Sequence, residues 1–98
     1  MEEIEMMITI KAFARFREIL GSETAEEEVH EGTTLAALLE EIGRKNPALK
    51  TSLYDDDGSL RRYIILMQNR KRVNHSEVES IILNDGDEIA LYPPVAGG

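Results

Sequence analysis

The group best placed to do chemistry in this sequence is a carboxylate at the end of a stalk. The chain closes with Tyr92-Pro93-Pro94-Val95-Ala96-Gly97-Gly98. Gly97 and Gly98 can thread a channel too narrow for any Cβ and take backbone angles other residues avoid. Pro93 and Pro94 fix φ and lack N–H groups, so a central strand must end at Tyr92. The prolines favour an extended, stiff exit. At about 3.1 Å per residue, such a tail reaches on the order of 20 Å. A stiff stalk with a bare carboxyl tip suits presentation to another protein's active site. A lone Gly-Gly would read as a frayed terminus; the prolines and the strand before them favour the stalk.

The rest of the sequence offers little other chemistry. There is no cysteine, hence no disulfide, thiolate nucleophile or Cys-based metal site. No Ser/His/Asp arrangement and no phosphate-cradling glycine loop is present, so no catalytic residue and no bound cofactor or metal is expected. His30 and His75 are isolated and read as solvent-exposed. Asp55-Asp56-Asp57-Gly58 lacks the alternating ligands and closing Glu of a calcium loop and reads as a solvated turn. The net charge of −8, from 19 acids and 11 bases, argues against a nucleic-acid surface. It fits solubility and encounter with a basic partner. No apolar run approaches a membrane span, and the acidic N-terminus lacks the charge order of a signal peptide. The expected setting is cytoplasmic, with no membrane partner.

Ninety-eight residues make one domain. Residues 1–5 read as an N-terminal extension, 6–92 as the folded unit and 93–98 as the tail. Ile8, Ile10 and Ala12 alternate with Thr9, Lys11 and Phe13, the period of a half-buried strand. Residues 14–20 read as a turn or helical wrap with Ile19 and Leu20 tucked inward, broken at Gly21-Ser22. Residues 24–30 are a strand candidate weakened by Glu26, Glu27 and Glu28. Thr33 or Thr34 can cap a helix whose apolar stripe is Leu35, Leu38, Leu39 and Ile42. Residues 43–47 carry its stop signal. Residues 46–59 read as irregular, with Leu49 and Leu53 pinning a short turn. Residues 61–68 read as a strand with apolar residues on both faces. Residues 69–72 turn, and Ile81, Ile82 and Leu83 form a short apolar stretch. Asn84-Asp85-Gly86-Asp87 is a turn signal, and 88–92 alternate again.

That order predicts an α+β protein: a mixed sheet of four to five strands packed on one main helix, with a flexible C-terminal tail. A hairpin, a helical crossover and a return strand beside the first make a β-grasp. In that arrangement Phe13 and Tyr92 share the sheet face away from the helix. Either Tyr63, Ile65 and Met67, or Ile64 and Leu66, join them; parity alone leaves both open, and the first set is favoured. An exposed patch of those residues, rimmed by Lys11, Arg61, Arg62 and Arg70, would be a partner surface.

Asp85-Gly86-Asp87-Glu88-Ile89-Ala90-Leu91-Tyr92-Pro93-Pro94-Val95-Ala96-Gly97-Gly98 resembles the C-terminal signature of the MoaD sulfur carriers in the MoaD/ThiS ubiquitin-fold family. The stretches 7–14 and 17–21 resemble that family's N-terminal half, and Gly32-Thr33-Thr34-Leu35 its helix start. ThiS itself is less similar, because Pro-Pro-Val-Ala precedes Gly-Gly here. Gln68-Asn69-Arg70 departs from an apolar-Asn-Gly turn, which leaves the register of 61–73 open and favours the small archaeal modifier proteins. The resemblance implies a non-catalytic carrier whose Gly98 is adenylated by an E1-like enzyme that uses ATP. The activated carboxyl then becomes a thiocarboxylate that donates sulfur to a MoaE-like catalytic subunit, or is joined by an isopeptide bond to lysines of target proteins. The alternative is a non-covalent β-grasp interaction domain with an incidental tail.

Overall fold

The computed structural model describes residues 5–94. Five strands form one mixed sheet in the order β2-β1-β5-β3-β4. Strand β1 (Glu5–Ala12) buries alternate residues, Met6, Ile8, Ile10 and Ala12. The β-grasp expectation is borne out: the return strand β5 (Glu88–Tyr92) lies parallel to β1 at the centre of the sheet, with Thr9 opposite Glu88 and Ala12 opposite Leu91. Glu5, read as the end of the N-terminal extension, pairs with His30 and is part of β1.

After β1, Ala14 enters at φ 53 and helix α1 (Arg15–Leu20) follows. Its anchor is Phe16, almost fully buried, which the sequence reading passed over for Ile19 and Leu20. Those two pack at the margin of the core. Strand β2 (Thr24–His30) forms despite its glutamates, because its pairing with β1 is complete from Lys11–Thr24 to Glu5–His30. Glu26 and Glu28 face solvent, and Glu27 reaches Lys45 Nζ at 2.6 Å. Charges of this kind on an edge strand also discourage stray pairing.

Helix α2 (Leu35–Lys45) crosses one face of the sheet and buries Leu35, Leu38, Leu39 and Ile42 as expected. Each such burial contributes roughly 1.5–3 kcal/mol. The cap is Thr34, whose Oγ1 accepts from the Ala37 N–H at 3.1 Å. The following segment departs from the sequence reading. Residues 47–53 are a helix, α3 (Pro47–Leu53), not an irregular stretch. Asn46 ends α2 and caps α3, its Oδ1 accepting from the Leu49 N–H at 3.3 Å, while Pro47 occupies the first turn, where a missing N–H costs nothing. Leu49 and Leu53, four residues apart, are fully buried.

Strand β3 (Ile65–Gln68) starts four residues later than the 61–68 strand read from the sequence; residues 61–64 approach it as a turn. It pairs antiparallel with β5 and with β4 (Lys71–Val73), and Gln68 opposite Lys71 fixes the register left open by the sequence. The connecting residues Asn69 and Arg70 both sit in the left-handed region, at φ 50 and φ 70. This is a two-residue hairpin turn whose second position favours glycine. Arg70→Gly relieves about 1–3 kcal/mol of backbone strain against about 0.5–1 kcal/mol of added chain entropy, and is therefore expected to stabilise the fold by about 1 kcal/mol. Thermal unfolding checks this, and an unchanged or lowered melting temperature contradicts it.

Candidate functional site: the root of the C-terminal tail

Strand β5 carries the tail, and the fold holds that strand at both ends. At its start, the turn over residues 84–87 ties three elements together. Met7 N–H donates to Asp85 Oδ1 at 2.8 Å, and Gly86 N–H, at φ 86, donates to the Met7 carbonyl at 2.9 Å. Asp87 is the only polar side chain buried among the described residues. Its carboxylate accepts from Asn84 N–H (2.8 Å), Asn69 Nδ2 (2.9 Å) and Gln68 Nε2 (3.1 Å). Burial pushes its pKa up, but those three donors outweigh burial and hold it below the ordinary aspartate value. Asn69 completes the clamp, accepting from Glu88 N–H at 2.9 Å. The sequence showed this segment only as a turn; nothing local marks Asp87 as the acceptor of two side chains from the β3–β4 hairpin.

At the far end, the Phe13 ring stacks on Tyr92, with centroids 4.4 Å apart and planes 3° from parallel. Phe13 N–H also donates to the Leu91 carbonyl at 3.2 Å. Pro93 is half-buried and Pro94 exposed. Val95, Ala96, Gly97 and Gly98 lie outside the described residues. The tail thus departs from a central strand whose last side chain is pinned by a ring on its neighbour.

The sheet face away from α2 holds the expected patch residues together. Ile65 pairs with Tyr92, and Met67 with Ala90, which in turn lies beside Lys11. Phe13, Tyr92, Ile65 and Met67 are half-buried on this face, while Ile64 and Leu66 are in the core. Tyr63 precedes β3 and is 70% exposed, with the Arg62 guanidinium 6.0 Å from its ring centre. The rim differs from expectation. Lys11 pairs with Glu88 at 3.6 Å, and Arg61 turns instead to α3, where its Nε donates to the Thr51 carbonyl at 2.9 Å.

The remaining candidates fall into structural roles. His75 is not freely solvated: its Nε2 lies 2.6 Å from the Ile64 carbonyl, inside a turn capped by Asn74 and Glu77. Asp55 pairs with Arg61 at 3.1 Å, and Asp57 accepts from Ser59 N–H. Among the described residues no helix is long and apolar enough to cross a membrane.

The sheet with this central return strand is a ubiquitin-like β-grasp, and comparison with known proteins places the chain among ubiquitin-like carriers. The ThiS family model matches residues 10–98. Small archaeal modifier protein 1 of Haloferax volcanii is 34% identical, over 90% of this chain and 97% of its own length. The molybdopterin synthase sulfur carrier subunit of Chlamydomonas reinhardtii is 31% identical, over 95% of this chain and all of its own. The crystal structure of SAMP1 from Haloferax volcanii superimposes with a TM-score of 0.82 at 32% identity, covering 94% of this chain and 99% of that one. The chain belongs to the ThiS family.

Proposed function

We propose that this protein delivers its Gly98 carboxylate to an E1-like enzyme, which adenylates it with ATP. A free carboxylate is a poor acyl donor. Joined to AMP through a mixed anhydride, with pyrophosphate released, it acquires a good leaving group. Attack by hydrosulfide then gives a thiocarboxylate and attack by a lysine amine gives an isopeptide bond, AMP leaving and a proton being released in either case. The protein's part is delivery, and the partner supplies the catalytic groups.

The observation that carries this reading is the anchored root: β5 is central, clamped through Asp87 and stacked through Tyr92, and the Gly-Gly tail follows directly. The relatives' names, a modifier and a sulfur carrier subunit, support a carrier role and leave both fates of the activated carboxyl in play. The direct experiment is mass analysis of the C-terminal peptide from native cells. Sulfur in place of a carboxyl oxygen on Gly98 reports sulfur donation, Gly-Gly remnants on lysines of other proteins report conjugation, and the free acid alone under all growth conditions refutes both.

The second part of the reading is docking through the sheet face at Phe13, Tyr92, Ile65 and Met67, with Tyr63 at its margin. Aromatic side chains at the centre of such a patch dominate binding. Phe13→Ala is expected to weaken binding of the partner about tenfold or more and to lower stability by about 1 kcal/mol. Calorimetric binding and thermal unfolding read the two effects. Intact affinity with a collapsed melting temperature would give Phe13 a purely structural role.

A further inference from the structure

The root of the tail lies in a groove that the delivery reading above does not use. Arg15 and Phe16 of α1, Thr51 and Ser52 of α3, and Arg61 line it together with Pro93 and Pro94. We infer that Arg15 and Arg61 form a cationic seat at the tail root, and that the mouth of the activating partner's channel carries carboxylates that occupy it. This rests on the delivery reading and names the chemistry of the partner at one defined place.

Three observations carry it. The first is charge. In a chain of net charge −8, two guanidinium groups flank the prolines, and no described residue lining the groove is acidic. The second is availability. Arg15 is exposed and has no ion-pair partner among the described residues. Arg61 is held by the Thr51 carbonyl and by Asp55, which fix its guanidinium in place yet leave N–H groups over, since the fork carries five donors. A pre-positioned arginine loses less freedom when it meets a carboxylate. The third is geometric necessity. A partner that encloses the residues after Pro94 must bring the rim of its channel against Pro93 and Pro94, and so against this groove. Rim charges of this kind steer encounter and select the partner.

The test is ATP–pyrophosphate exchange by the purified E1-like enzyme from the same genome, with this protein as the varied substrate. Arg15 carries the test, because reversing Arg61 would also break its bonds to Thr51 and Asp55. Arg15→Glu is expected to raise KM about tenfold with kcat within twofold of wild type, and to flatten the salt dependence of KM. Arg15→Lys keeps the charge and is expected to stay near the wild-type KM. Lys71→Glu makes the same change in net charge on the edge strand β4, toward the start of β5 rather than its tail end, and is expected to leave KM unchanged. Wild-type exchange with an unaltered KM for Arg15→Glu overturns the seat and leaves the delivery reading standing. An equal rise for Lys71→Glu also overturns it, because bulk charge would then be the cause. No exchange with the wild-type protein removes the delivery reading, and the seat with it.

Discussion

Removing Gly97 and Gly98 is expected to abolish pyrophosphate release by the E1-like enzyme and to leave the melting temperature of the chain where it was. The two halves of this expectation have separate causes. Among the described residues the buried core ends at Leu91, and the clamp on β5 involves residues 7, 68, 69 and 84–88, all of which the deletion leaves in place. The chemistry is expected to be lost completely because the shortened chain would present the Ala96 carboxylate two residues short of the site. Two extended residues span roughly 7 Å, and displacement of a reacting group by even about 1 Å can cost a hundredfold in rate. Gly98→Ala probes the same point more finely, since its Cβ tests the width of the channel. Undiminished pyrophosphate release by the truncated chain, or a large fall in its melting temperature, contradicts the separation of fold from tail.

Asp87→Ala has the largest expected effect on stability. It leaves the Asn84 N–H, Asn69 Nδ2 and Gln68 Nε2 without their acceptor, two of them part-buried on the β3–β4 hairpin. Loss of charge-assisted hydrogen bonds at a buried acceptor costs about 2–3 kcal/mol. For a domain of this size that lowers the melting temperature by roughly 10–20 °C. The same group sets an acid limit. Its folded pKa lies below its unfolded value, so the stabilisation is full above the unfolded value of about 4 and is lost as pH falls through the lower folded value. Asp87→Asn removes this proton linkage. Its stability is expected to fall less steeply than wild type below about pH 4. Denaturant unfolding across that range reads it, and parallel pH profiles for the two proteins would assign the acid limit to other carboxylates.

Asp87 also marks where the sequence stops being legible. Its two side-chain donors come from 18 and 19 residues away in the chain, and a turn signal carries no trace of them. Helix α2 was legible because four apolar residues fall on one stripe behind a hydroxyl cap, and the burial of that stripe decides the element. Helix α3 was not, because Asn46-Pro47 serves as a stop for one helix and a start for the next, and Leu49 and Leu53 alone form too short a stripe to choose between them. The run 63–67 is apolar at every position, so alternation could not assign its faces; pairing of Ile65 with Tyr92 and Met67 with Ala90 does. The parallel neighbourhood of β1 and β5 was legible from element order, which brought Phe13 and Tyr92 to one face, but their stacked contact needed coordinates.

The root of the tail therefore owes its placement to long-range contacts, while the tip owes its character to sequence alone. One atom group separates a delivered reactant from an incidental ending. Semisynthesis can convert the C-terminal carboxylate of Gly98 to a carboxamide and leave every other atom of the chain in place. Pyrophosphate exchange by the E1-like enzyme, measured side by side on the two forms, is expected to proceed with the acid and to vanish with the amide. Equal exchange with both forms would show that the activated group lies elsewhere and would contradict the account.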